Sequence, residues 1–166
     1  MRQSQREIQD PAEIAALLAA GQVCHLALNN AGAAPYLVAL NYGFDYQTAG
    51  NSLVLWFHSA AAGRKLELLA ADAQVGFQIE TKLAMLPDNL QACAWGMQYE
   101  SLVGSGLLRL VTERSTKLYG LNRLMSHYGG AEQPIVEPIL NKTAVLQLVA
   151  TEFAAKRSRN LRPQLA

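Results

Sequence analysis

Leu53-Val54-Leu55-Trp56-Phe57-His58 runs without a break into Ser59-Ala60-Ala61-Ala62-Gly63-Arg64-Lys65. An apolar run of strand character ends in a histidine, and a small-residue turn then presents two cations at the start of a helix. Backbone N–H groups at a helix start, with an arginine and a lysine beside them, make a ready site for a dianionic phosphate. The alternative is a surface turn whose basic pair faces solvent. The company this segment keeps along the chain decides what fold carries it.

Upstream, Asp10-Pro11 sets an N-cap oxygen before a proline at the first helical position, and Glu13 completes a capping-box pattern. Ile14, Leu17 and Leu18 mark one apolar face of a helix over about residues 10–20, which Gly21 ends. Val23 to Leu28 reads as a strand, Asn29-Asn30-Ala31-Gly32 as a turn, Pro35 to Phe44 as a second strand and Asp45 to Ser52 as a loop. Leu53 to His58 is the third strand.

Downstream, Gly63 to Ala71 predicts a short helix with Leu66 and Leu69 or Ala70 inward. Gln74 to Glu80 predicts a strand with Val75, Phe77 and Ile79 on one face. In residues 82–96 only the Pro87-Asp88-Asn89 turn is legible, and Ala92 to Trp95 reads as a loop or a strand end. Gln98 to Val111 is a long strand or a bent pair, with Gly104 and Gly106 as bulge or close-approach points. Glu113 to Tyr128 predicts a helix with Leu118, Leu121, Leu124 and Met125 inward, ending at Gly129-Gly130, and Ala144 to Phe153 predicts the last strand. Antiparallel neighbours joined by short loops argue against a parallel βαβ architecture. The expected fold is mainly β: a small antiparallel barrel with flanking α-helices, in a single domain over 1–166.

Apolar residues make up 51% of the 166 and charged residues only 16%. So little charge on a small domain predicts an unsolvated surface, most simply that of a two-fold homodimer. A net charge of +1 gives no electrostatic case for nucleic acid. Lys156, Arg157, Arg159 and Arg162 read as part of a solvated basic tail over about 155–166. No apolar run approaches the roughly 18 residues of a membrane span. The polar start, Met1 to Glu7, predicts a cytoplasmic protein, with Cys24 and Cys93 reduced and partly buried. No His/Cys spacing suggests a metal site.

No Gly-x-Gly-x-x-Gly opens a helix after a strand, and no Gly-x-x-x-x-Gly-Lys-Ser/Thr loop is present. Gly104-Ser105-Gly106 reads as a barrel kink rather than a nucleophile elbow. His25 alternates with Val23 and Ala27, as a barrel-wall histidine does. His127 sits at a helix C-terminus, where positive charge suits the dipole. His58, at the strand end before the basic turn, is the histidine placed for function. Trp95 and Tyr99 are candidates to line a planar ligand, with core packing or a dimer contact the alternative for Trp95. Ser101 is an ordinary strand hydroxyl unless something polar lies opposite.

The order of these pieces resembles one family. Arg6-Glu7-Ile8 with Asp10 and Glu13-Ile14, then Cys24 to Leu28, then Pro35 to Gly43, are similar to the nitroimidazole-resistance (Nim) proteins. Phe57-His58 with Gly63-Arg64-Lys65, and Tyr99 to Gly106, continue the pattern over about residues 6–128. That group belongs to the pyridoxamine 5′-phosphate-oxidase-like flavoproteins. The resemblance implies a split β-barrel, a homodimer, and FMN bound at the subunit interface. It implies that Leu37, Val38, Ala39, Leu40 and Asn41 run along the isoalloxazine ring. It matches Phe57-His58 to the end of the next cofactor-binding strand, and Gly63 with Arg64 and Lys65 to the phosphate clamp. Ser101 stands where the oxidases carry a glutamine. The arginine and lysine that bracket the oxidases' ring-side strand are missing, which argues against a true pyridoxamine phosphate oxidase. The implied activity is reduction of a small conjugated or nitroaromatic substrate, with His58 as the catalytic residue. The alternative is a non-catalytic flavin- or haem-binding module.

Overall fold

The computed structural model describes residues 4–88, 91–130 and 134–158. In chain order the elements are β1 (Glu7–Ile8), α1 (Pro11–Ala20), β2 (Cys24–Leu28), β3 (Tyr36–Leu40), β4 (Gly43–Gln47), β5 (Ser52–Ala60) and α2 (Arg64–Ala71). They continue with β6 (Gln74–Leu86), β7 (Gly96–Val111), α3 (Arg114–His127), α4 (Glu137–Lys142) and β8 (Thr143–Arg157). The described strands form one antiparallel sheet in the order β3-β2-β6-β7-β8-β5-β4, with β1 added to β8. Its two outermost strands, β3 and β4, are joined by Asn41 and Tyr42 alone. Two residues bridge at most about 11 Å between flanking Cα atoms. The ends of the sheet must therefore meet, and the sheet curls into the expected split barrel.

Alternation along the strands fills the interior: Leu26, Leu28, Leu55, Phe57, Phe77, Ile79, Leu102, Leu108 and Leu148 are buried. Ile14, Leu17 and Leu18 of α1 join the same core, as their spacing predicts. A second, smaller cluster of Trp56, Val111 and Val145 lies under α3. There Gly120 lets the helix approach, since a Cβ would meet the Trp56 ring at 2.6 Å.

Several boundaries differ from the sequence reading. Pro35 to Phe44 is broken at Asn41-Tyr42, because the Tyr42 ring turns into the core and donates to the Leu18 carbonyl at 2.6 Å. Half of Asp45 to Ser52 is strand, with residues 48–51 in the turn. In α2 the buried residue is Leu68, and Ala70 is exposed. In α3, Gly120 and Leu124 are buried whereas Met125 is exposed. The Glu13 carboxylate is taken by Arg157 at 2.6 Å instead of closing a capping box.

β6 continues to Leu86 through a bulge at Thr81–Ala84, where Lys82 has φ 55°. Residues 92–94 form a single 3-10 turn, and Asn89 lies outside the described residues. The basic tail is shorter than expected, because Lys156 and Arg157 belong to β8 and pair with β1 or β7; Arg159 and Arg162 lie outside the described residues. Burial pushes the Cys24 thiol up to about 12, while Cys93 is exposed rather than partly buried. A bulge between Ser105 and Gly106 confirms the glycine reading there: a Cβ on Gly104 would meet the Glu152 carbonyl oxygen at 2.5 Å. Among the described residues no helix is long and apolar enough to cross a membrane.

Candidate functional site

The break at Asn41-Tyr42 creates a gap in the barrel wall. β4 pairs with β5 from Gln47↔Ser52 to Gly43↔Trp56, and the ladder stops there. Continued by two residues, the same register would set Asn41 against His58. β3 instead pairs with β2, and β5 runs on along β8. The outer edge of β3 and the end of β5 are thus left open beside one another. His58 is exposed on β5, and the neighbouring Phe57 side chain is fully buried in the core, leaving only its main chain for a ligand. Leu37 and Ala39 are exposed on β3, Val38 and Leu40 point partly inward, and Asn41 is exposed at the break.

The basic pair closes the gap at the hairpin end. Gly63 is the N-cap of α2, with φ 125°, which no L side chain adopts readily, and it offers no capping side chain. At α1 and α3 the first turn is satisfied by the Asp10 and Glu113 carboxylates. The start of α2 carries Arg64 and Lys65 instead. Arg64 donates to Asn30 Oδ1 at 2.8 Å, which ties the helix to the β2–β3 turn, and it lies 3.5 Å from Glu67. Lys65 is half-buried and has no carboxylate partner among the described residues; burial pushes its ammonium down.

On the outer sheet face, register places His25 beside Ala39 and Ala27 beside Leu37. His58 and His25 therefore flank β3 from its two sides, because the imidazoles share the face on which Asn41, Ala39 and Leu37 stand. A groove of about 510 Å³ on this face is lined by His25, Ala27, Leu37, Gly76, Gln78 and Val103, among others. Ser101 stands on β7 between Glu80 and Lys156, its hydroxyl buried and without a hydrogen-bond partner. Three strand spacings separate it from β3, about 14 Å at the usual interval.

His127, Trp95 and Tyr99 are held in other ways. His127 Nε2 lies 2.7 Å from the Gly21 carbonyl oxygen, and the ring packs against Tyr42, Phe44 and Tyr128. Burial pushes its imidazole down, so the packing favours the neutral form over the dipole-paired cation expected from sequence. Trp95 is exposed beyond the β6–β7 strands and donates to the Asp88 carbonyl at 2.7 Å. Tyr99 lies on the outer face beneath Lys156, whose Nζ is 5.9 Å from the ring centre.

Residues 10–157 match the pyridoxamine 5′-phosphate oxidase family. The chain belongs to that family. No curated relative matches it significantly. Solved structures extend the likeness of this oxidase-family chain at the level of fold. A candidate 5-nitroimidazole antibiotic resistance protein from Bacteroides thetaiotaomicron is 20% identical, with a TM-score of 0.76 over 91% of this chain and 86% of that one. The flavocytochrome Anf3 from Azotobacter vinelandii is 18% identical, with a TM-score of 0.76 over 99% of this chain and 75% of that one. An FAD and heme binding protein from Mycobacterium smegmatis is 16% identical, with a TM-score of 0.77 over 93% of this chain and 74% of that one.

For this member of the oxidase family, sequence reasoning passed over two residues that the fold brings to the gap. Asn30 was only a turn residue, and nothing local announces its bond to Arg64. His25 was set aside as barrel wall, although its alternation with Val23 and Ala27 already put it on a face opposite Cys24 and Leu26.

Proposed function

We propose that this chain is an FMN-binding oxidoreductase, working as a homodimer on a small conjugated or nitroaromatic substrate. The observation that carries the reading is the basic pair beside the gap. Lys65 is a half-buried cation without a carboxylate partner among the described residues, and Arg64 is fixed to the β2–β3 turn. The phosphate of FMN supplies the counter-charge that Lys65 lacks. Leu37 to Asn41 then run along the flavin ring, using the open edge of β3, with Gly63 and the Phe57 main chain toward the phosphate end. Ser101, too far across the sheet to act on its own protomer's ring, serves the site of a second copy, and its unpartnered hydroxyl awaits that contact.

FMN, when bound, supplies transfer of electrons to a substrate placed against it. His58, exposed at the edge of the gap, holds a proton toward the substrate's developing negative charge. The nitroimidazole-resistance neighbour supports a nitro compound as the substrate class. The experiment is direct. Purified protein should be yellow, release FMN on denaturation, sediment as a dimer, and consume a 5-nitroimidazole once its flavin is reduced. A colourless protein that does not take up FMN would sink this reading.

A second reading, a haem-binding module without turnover, draws on the haem-binding relatives and on two exposed imidazoles, His25 and His58, that have no recorded side-chain partner among the described residues. A Soret band in the purified protein would select it.

A further inference from the structure

The groove on the outer face has one polar side chain left unused. Of its lining residues, Gln78 and Glu80 are bonded to one another, Gln78 Nε2 donating to Glu80 Oε1. The His25 imidazole is exposed and makes no hydrogen bond, ion pair or ring contact among the described residues. Around it stand Ala27, Leu37 and Val103, with Leu37 70% exposed. The floor is Gly76, where an added Cβ would meet nothing closer than the Ala27 methyl at 3.7 Å. The protomer itself therefore has room for a side chain here, in a strand interior where glycine is costly. The space is kept for something outside the protomer's own packing.

We infer that this groove is the substrate site and that His25 anchors the substrate, a neutral planar aromatic carrying one hydrogen-bond acceptor such as a nitro group. The inference rests on the reading that FMN lies along β3. His25 pairs with Ala39 and Ala27 with Leu37, so the groove borders that strand directly. Apolar walls and a flat glycine floor suit a conjugated ring, and a volume of about 510 Å³ admits a small one with room to move. One imidazole can meet one acceptor group. Glu80 at the end of the groove sets the charge preference: it disfavours an anionic ligand, and so disfavours phosphorylated pyridoxamine. The groove thus selects a neutral nitroaromatic over the substrate that gives the family its name.

The test uses FMN-loaded protein and 5-nitroimidazole, with affinity read by calorimetry and contact read from the His25 ring proton by NMR. Binding should shift the His25 resonance. His25→Ala should weaken 5-nitroimidazole about tenfold, the loss of one hydrogen bond, and His25→Gln should recover part of it, with FMN content unchanged in both. Gly76→Val, which fills the floor, should also weaken binding. Pyridoxamine 5′-phosphate should bind more weakly than 5-nitroimidazole. FMN-loaded protein whose nitroimidazole affinity is indifferent to His25 and to Gly76 would overturn this inference alone. The same holds if Gly76→Val turns a dimer into a monomer without changing that affinity, since the groove would then be a subunit contact. Wild-type protein that holds no FMN would overturn the parent reading, and this one with it.

Discussion

The Arg64 guanidinium donates to Asn30 Oδ1 at 2.8 Å, so the first turn of α2 and the β2–β3 turn are held as one unit. The position of the basic pair is therefore set by a contact 34 residues away in sequence. Two charge-assisted contacts to phosphate are worth roughly 1.5–3 kcal/mol each. Arg64→Ala combined with Lys65→Ala should lower FMN affinity by more than about a hundredfold in a flavin-fluorescence titration. Asn30→Ala, which frees Arg64 without removing its charge, should cost less. Undiminished affinity in the double variant would show that the phosphate lies elsewhere.

Asp45 is the tie between β4 and α3. Its carboxylate accepts from Trp56 Nε1 at 2.7 Å and from the Tyr119 hydroxyl at 2.9 Å, and Arg123 Nε lies 2.8 Å from it. Truncation strands two donors and a partly buried cation together. Asp45→Ala should destabilise by about 2–3 kcal/mol, read as a lower urea midpoint at unchanged m. A double-mutant cycle with Arg123→Ala should show strong coupling.

Two strand glycines should respond oppositely to the same substitution. A Cβ on Gly43 would fall 2.4 Å from the Arg123 carbonyl carbon, where only backbone can yield. Gly43→Ala should cost about 3 kcal/mol or more, by forcing α3 off the sheet. Gly76→Ala makes only ordinary contacts, with the Ala27 methyl at 3.7 Å, and should be close to neutral in thermal unfolding. Equal effects at the two sites would contradict the packing described for α3.

Acid should weaken the fold through His127. Burial holds its folded-state pKa below the ordinary value of 6.5, so the unfolded chain binds the proton more readily. The contribution is complete above about pH 6.5 and is lost as the pH falls from there toward the depressed folded value. His127→Gln should remove that slope from a plot of stability against pH. A wild-type slope that survives the substitution would assign it to another group.

Part of the sheet was legible because some strands at the core wall alternate: Val75, Phe77 and Ile79 are buried as read. Helix ends followed their caps at Asp10 and at Gly129, whose φ is 74°. What was not legible depended on tertiary contact. Nothing in Asn41-Tyr42 signals a break, since the break is made by a Tyr42 hydroxyl reaching the carbonyls of α1, 24 and 21 residues away. β1 is only two residues and exists because β8 offers an edge. α4 follows Val136, which offers no side-chain cap, and it is only six residues long. At the site, Arg64, Lys65 and His58 could be singled out because a strand end, a turn and a helix start are local features. The partnership of His25 with β3 is a register fact, and register follows only once the hairpin is closed.

The broken wall has a cost that no ligand-free inventory of contacts reveals. Main chain left without a ladder partner is an address for other chains, and the exposed Leu37 makes that address adhesive. On the proposed reading, copies without FMN carry this open hem, whereas filled copies have it covered. The intensity of yellow in a preparation should accordingly forecast its shelf life, and riboflavin supply during expression should govern yield as much as temperature does.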